Sequence, residues 1–120
     1  MTERAELLGY ADQVLDGTIA LGTRGPRIAA LLARRAFEDW LDGISASWST
    51  QVLSDRPPTT SSKLVALGAL QGMEVGERAK RVWHGLSTAV HHHAYELQPS
   101  TAEVRQLVQN VRAVCGVVTS

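Results

Sequence analysis

The stretch PRIAALLARRAFEDWLDGISASW, residues 26–48, decides the fold class. Its apolar side chains recur every three or four residues, which places them on one face of an α-helix. Pro26 suits the first turn of a helix, because the N–H that proline lacks has no intrahelical partner there. The apolar stripe consists of Ile28, Leu32, Ala36, Phe37, Trp40, Leu41, Ile44 and Trp48. The stretch therefore predicts a long amphipathic helix that needs partners along its apolar face.

Three further stretches have the same period and predict long helices at about 3–21, 74–96 and 101–115. The last of these starts with Ser100 and Glu103, which have the spacing of a capping box. Their apolar stripes contain Leu7, Leu8, Ala11, Val14, Leu15, Thr18 and Ile19; Val75, Ala79, Val82, Leu86, Ala89 and Val90; and Val104, Leu107, Val108, Val111 and Val114. These patterns predict helices that pack against the 26–48 helix.

A short helix, KLVALGALQG, is predicted to end near Gly72, after a polar loop in which Pro57 and Pro58 forbid regular structure. No stretch shows the alternating pattern of a β-strand. The predicted fold is an all-α, four- to five-helix bundle, with residues 1–120 forming a single helical domain.

Composition and charge exclude several classes of protein. The 120 residues include 12 basic and 12 acidic side chains, so the balance argues against non-specific coating of nucleic acid. The single cysteine, Cys115, cannot form an intramolecular disulfide and fits a reducing compartment. The N-terminal residues lack the apolar core of a signal peptide, and no apolar run approaches the roughly 20 residues of a membrane helix. We expect a cytoplasmic protein with no membrane contact.

Three consecutive histidines, His91 to His93, follow the apolar stripe of the predicted fourth helix. On a continuous helix, His93 would extend the buried stripe of Leu86 and Val90. His91 would instead lie on a polar stripe with Arg81, His84, Thr88 and Tyr95. The block is therefore predicted to present histidines to both the core and a polar surface.

Several interpretations of this block remain open. His93 can be a hydrogen-bonded core residue while His91 and His92 are solvated. A zinc site is disfavoured, because His84 and His91 would stand about 10 Å apart along the helix, too far to share one ion. No metal and no cofactor are therefore expected. An imidazole that titrates near neutrality could also act as an acid or base on RNA.

The segment HHHAYELQPSTAEV, residues 91–104, resembles the signature of HEPN domains, helical domains of bacterial toxins and antiphage systems. His93 and Tyr95 match the His-x-Tyr portion of the family pattern. The block is also similar to the HHHAYEL segment of small actinobacterial proteins. The resemblance implies a four-helix bundle that dimerises with paired motifs facing one cleft. It further implies either a metal-independent endoribonuclease or a non-catalytic module, with Tyr95 as the residue that a partner nucleotidyltransferase would modify with AMP.

The arginine of the family pattern, with four residues between it and His93, falls on Thr88. Two substitutes for its positive charge are open: Arg78 paired with His84 at the family's spacing, or a protonated His91 or His92. The candidate catalytic residues are His93, His92, His91 and Tyr95, and the candidate RNA-binding residues are Arg78, Arg81 and His84.

Two functions follow from the resemblance. One is a toxin–antitoxin or antiphage effector that cleaves RNA. The other is a non-catalytic module that binds RNA or protein within a larger defence or mobile-element complex. The expected partners are RNA, an antitoxin or a defence-complex subunit, and a second copy in a homodimer or a hetero-oligomer.

Two other groups of residues favour structural roles. Arg34 and Arg35 lie one turn before Glu38 and Asp39, so ordinary ion pairs within the helix are favoured over contacts to RNA. Tryptophans such as Trp83 are expected to pack in the core rather than to stack on bases.

Overall fold

The computed structural model describes residues 2–49, 59–91 and 99–119, and these residues form an all-α bundle without a β-strand. The helices are α1 (Thr2–Asp16), α2 (Gly25–Ser49), α3 (Thr60–Gln71), α4 (Met73–Val90) and α5 (Thr101–Thr119), and a 3₁₀ turn, Gly22–Arg24, precedes α2. The predicted fold class is confirmed. None of the helices in these ranges is both long and apolar enough to cross a membrane.

Helix α2 is the central element, because it packs against α1, α3, α4 and α5. Its inner face combines small alanines, which let neighbouring helices approach closely, with large side chains that fill the space between them. The buried residues on this face are Ala29, Ala30, Ala33, Ala36, Phe37, Trp40 and Leu41. The indole N–H of Trp40 is buried with no hydrogen-bond partner among the described residues.

The predicted apolar stripes of the other long helices complete one core. Its further buried members are Leu8, Ala11 and Val14 of α1; Leu64 and Leu67 of α3; Ala79, Val82, Leu86 and Ala89 of α4; and Val104, Val108, Val111, Val114 and Cys115 of α5. The helical period in the sequence therefore identified the core faces of α1, α4 and α5.

Helices α3 and α4 form a tight pair that is separated only by Gly72, at φ +108°. The two helices touch backbone to backbone at Gly68 and Gly76, where a Cβ added to Gly76 would lie 2.6 Å from Gly68 Cα. The start of α3 is capped by Thr59, whose hydroxyl accepts a hydrogen bond from Ser62 N at 3.1 Å. Helix α3 rests mainly on α4 and makes little contact with α2.

The predicted end of the first helix at about residue 21 is wrong, because α1 stops at Asp16. Gly17 adopts φ +85°, a left-handed conformation that ends helices, and the N–H of Ile19 turns back to donate to Gln13 O at 3.1 Å. Ile19 nevertheless packs against the core. The apolar period therefore continues beyond the helix that it predicts.

The predicted extension of the fourth helix through His93 is also wrong. Helix α4 ends at Val90, and His91 has φ −94° and ψ 38°, outside the helical region. The carbonyl of Val90, left without an intrahelical donor, accepts a hydrogen bond from Arg27 Nε at 3.0 Å. Contact with α2 therefore satisfies the carbonyl at the end of α4.

The last helix starts where the sequence predicted, since Ser100 Oγ accepts a hydrogen bond from Glu103 N at 3.0 Å. It continues to Thr119, four residues past the predicted end. Gly116, the residue after the predicted end, thus lies within α5. Arg105 and Arg112 tie the helix to α1 through ion pairs with Asp16, at 3.1 Å, and Asp12, at 2.7 Å.

Candidate functional site

The C-terminal end of α4 carries the first histidine of the block. His91 is exposed, and its Nε2 lies 2.9 Å from Arg34 Nη1 of α2. This is a contact between residues 57 positions apart in the chain. Arg27, two helical turns before Arg34, holds the neighbouring carbonyl of Val90. Two arginines of α2 therefore fix the end of the helix that leads into the histidine block.

Donor and acceptor chemistry defines the state of this pair. A guanidinium has only N–H donors, so Arg34 donates and His91 Nε2 accepts. An imidazole can accept only when it is neutral, and the remaining proton then sits on Nδ1. The geometry therefore describes a charged arginine held against a neutral histidine.

The guanidinium of Arg34 is partly enclosed by its other neighbours. Its Cζ lies 4.7 Å from the ring centroid of Trp83, a cation–π distance, and Phe37 stacks on the same tryptophan at 6.1 Å and 27°. Glu38 Oε1 is 3.6 Å from Arg34 Nε, too far for a hydrogen bond. The Nε–H is buried and has no hydrogen-bond acceptor among the described residues. Arg34 therefore keeps a positive charge that Glu38 compensates only in part.

The ion pair predicted between Arg34 and Glu38 is confirmed, but the reach of Arg34 to His91 was not anticipated. The prediction gave Arg34 only an ion pair within α2, whereas its side chain is 20% exposed and also reaches α4. The one signal in the sequence is the spacing of Arg27 and Arg34, which puts both on the same side of α2 two turns apart.

The polar stripe predicted on α4 is exposed over its described part. Arg81, His84, Thr88 and His91 all face solvent. Arg81 stands about 15 Å from His91 along the helix axis, and His84 about 10 Å. These residues thus line one surface, with His91 at its end and Arg34 beside that end.

The structure places Arg78 away from this surface. It forms an i,i+4 ion pair with Glu74, at 3.5 Å, and both side chains are largely exposed. Six residues on a helix separate Arg78 from His84 by about 120° around the axis, so the two side chains do not converge. The predicted Arg78–His84 substitute for the family motif gains no geometric support.

Three of the four candidate catalytic residues, His92, His93 and Tyr95, lie outside the described residues. Their assigned roles stay predictions. Of the four, only His91 has a described environment, and it is the one that contacts Arg34.

Metal-binding side chains do not cluster in residues 2–49, 59–91 and 99–119, where no three of His, Cys, Asp and Glu are grouped to hold an ion. Cys115 lies buried on the inner face of α5. Burial raises the pKa of its thiol to about 11, and the positive charge of Arg4 opposes this rise. A raised pKa leaves little thiolate, so Cys115 is a poor nucleophile.

A groove of about 500 Å³ runs between α3 and α4. Its apolar side includes Val65 and Met73, which are 75% and 81% exposed. Glu77, Lys80, Trp83 and His84 also line it, and Arg34 lies over the ring of Trp83. The groove and the Arg34–His91 pair are therefore joined through the ring of Trp83.

Comparison of the chain with protein-family models, curated proteins and solved structures finds no match.

Proposed function

We propose that this chain is a HEPN-like helical domain that acts on RNA in a toxin–antitoxin or antiphage system of the cytoplasm. The observation that carries the proposal is the 2.9 Å contact between Arg34 Nη1 and His91 Nε2. A guanidinium holds phosphate through paired N–H donors, and an imidazole moves protons near neutral pH. The contact supports the proposal because it puts both groups together at the start of the histidine block.

The proposed roles follow from this placement. The sequence has Thr88 at the position of the family's arginine. Arg34 of α2 supplies the missing positive charge in its place. His93 is the proposed acid or base, with His91, His92 and Tyr95 around it, and Arg81 and His84 extend the RNA-binding surface along α4. No metal ion takes part in the proposed cleavage, because general acid–base chemistry on the 2′-hydroxyl needs none.

The test is cleavage of total cellular RNA by purified protein, with and without EDTA. We expect wild-type cleavage to be unaffected by EDTA, and His93→Ala to lower it at least about 100-fold, the usual contribution of a general acid or base. Tyr95→Phe, which keeps the ring, should be milder. Thr88→Arg should raise the rate, since Thr88 is exposed beside His91 and can carry a phosphate-binding charge. Melting temperatures measured alongside separate lost chemistry from lost folding.

A second candidate, a non-catalytic interaction module, is favoured by the exposed apolar side chains of Val65 and Met73 at the α3–α4 groove. This reading predicts no cleavage by wild type or by Thr88→Arg. Binding of RNA without cleavage would reduce the proposal to an RNA-binding module. If the protein neither binds nor cleaves RNA, RNA is removed from the proposed function.

A further inference from the structure

We propose that Arg34 and His91 form a binding site for one phosphate group, and that the site takes up a proton when the phosphate binds. The inference rests on the proposed function for its source of phosphate, an RNA backbone. It goes further in assigning a ligand group to Arg34 and a change of protonation to His91.

Without a ligand, the site has positive charge and N–H donors that its described neighbours compensate only in part. Arg34 donates to a neutral imidazole, and the nearest described carboxylate, Glu38, stops at 3.6 Å from Nε. The Nε–H is buried without an acceptor in the part of the chain that the structure describes. Buried donors in proteins are nearly always paired, so this guanidinium is short of acceptors. A phosphate that approaches the exposed Nη end of the guanidinium, beside His91, supplies the negative charge and the lone pairs that the site lacks.

Phosphate binding changes what His91 must do. With phosphate on the guanidinium, the lone pair of His91 Nε2 no longer has a donor and instead faces anionic oxygen. Protonation turns Nε2 into a donor to that oxygen, so a neutral pair becomes an arginine–phosphate–imidazolium bridge. One proton moves from solvent to Nε2, and no bond other than hydrogen bonds forms or breaks.

The surrounding charges act on both sides of this equilibrium. On α2, Arg34 and Arg27 oppose a proton on His91, while Glu38 favours it. On α4, the C-terminal end of the helix dipole favours an imidazolium, and His84 lies two turns back. The same dipole end disfavours an anion, and the positive charges of Arg34 and the neighbouring Arg27 offset this effect. The added negative charge of phosphate tips the balance towards the protonated imidazole.

The test is the pH dependence of binding, measured by calorimetry with a ten-nucleotide oligouridylate in one arm and inorganic phosphate in the other. For wild type we expect affinity to fall roughly tenfold from pH 6 to pH 8, because one bound proton is linked to one site. His91→Gln keeps a polar side chain that cannot titrate. Its affinity for the oligouridylate, whose phosphodiesters keep one charge throughout, should therefore be flat over this range. Gln109→Ala, a change at an exposed residue of α5 that takes no part in the proposed site, should keep the wild-type slope.

Arg34→Gln should weaken binding at least about tenfold at every pH, as expected for a direct contact between a guanidinium and phosphate. Arg35→Gln is the matched control, since it removes the same charge from the adjacent, exposed position of α2. It should change affinity less than about twofold. Arg34→Lys keeps the charge without the planar fork and should be intermediate, which guards against a glutamine variant that folds poorly.

The two probes and the variants distinguish failure of the phosphate site from failure of the function in RNA. Equal losses in Arg34→Gln and Arg35→Gln, or an unchanged pH slope in His91→Gln, would overturn the phosphate site. If RNA still bound in that case, the proposed function would stand without the site. Binding of inorganic phosphate that depends on Arg34, with no binding of the oligonucleotide, would keep the site and overturn the function in RNA. Binding of neither probe would overturn both.

Discussion

Cys115 shows how burial on α5 controls the chemistry of one side chain. Its thiol has a pKa raised to about 11 by loss of solvation. Compared with an ordinary thiol about two pKa units lower, the native protein should hold roughly 100-fold less thiolate at pH 8. We therefore expect iodoacetamide to alkylate the native protein at least about 100-fold more slowly than the guanidinium-unfolded chain. Mass spectrometry of timed samples measures both rates, and similar rates would contradict the burial of Cys115.

The same shift predicts how stability depends on alkaline pH. The folded thiol holds its proton more tightly than the unfolded one, so the stabilisation is fully present below the unfolded pKa and is lost as pH rises towards 11. Wild type should therefore lose melting temperature more steeply than Cys115→Ala between about pH 9 and pH 11. Other titrating groups are common to both proteins and cancel in the comparison.

The contact between Arg34 and His91 marks the limit of what residue patterns could predict. Helical spacing correctly put His91 on an exposed polar stripe and Arg34 beside Glu38. It could not predict their contact, because the two residues are 57 positions apart and meet only after α2 and α4 pack together. The orientation of α2 about its axis decides which arginines reach α4, and that orientation depends on the whole core.

Among the helices, the pair α3–α4 depends on the direct backbone contact between Gly68 and Gly76. Gly76→Ala would put a Cβ 2.6 Å from the backbone of Gly68, so the two helices must separate. We expect this substitution to cost about 1–3 kcal/mol in the free energy of unfolding, as overpacking usually does. Urea unfolding followed by circular dichroism measures the change.

Gly43→Ala is the matched control for Gly76→Ala. Gly43 also lies inside a helix, α2, but a Cβ there meets nothing within 4 Å. Alanine should stabilise this position by about 0.5–1 kcal/mol, since it removes the backbone entropy of glycine without a clash. A loss of stability at Gly43, or none at Gly76, would show that the contact between α3 and α4 is not as tight as described.

The ends of helices were predicted less well than their faces. The apolar faces of α4 and α5 followed directly from the helical period, and Ser100 capped α5 as its spacing indicated. The end of α4 had no glycine or proline to signal it, and its last carbonyl is instead satisfied by Arg27. The prediction continued α1 through the apolar Ile19 to about residue 21, whereas Gly17, with its positive φ, ends the helix earlier.

For the molecule as a whole, the prediction of a homodimer that uses the α4 region remains to be measured. A two-fold interface would bring the same α4 surface of two copies together. Sedimentation equilibrium should then give twice the monomer mass, and Ser87→Glu, which adds a negative charge to the α4 surface of both copies, should weaken association at least about tenfold. Gln109→Glu adds negative charge to the exposed side of α5 and should leave it unchanged. A monomer at high concentration, with no co-purified helical partner, would contradict the prediction.

Because α3 packs mainly on α4, the helices of the bundle are expected to differ in the free energy at which they open locally. Elements with few contacts open at a lower free energy than the global unfolding of a domain, and α3 has little contact with α2. We therefore expect amide hydrogens of α3 to exchange with solvent through a local opening that leaves α1, α2, α4 and α5 assembled, and hydrogen exchange followed by mass spectrometry measures this. Such an opening uncovers the tryptophan side of the groove, whereas the Arg34–His91 contact joins two helices that stay closed. We therefore expect the candidate site to lie in the slowly exchanging part of the described residues, so that its geometry is kept when α3 opens.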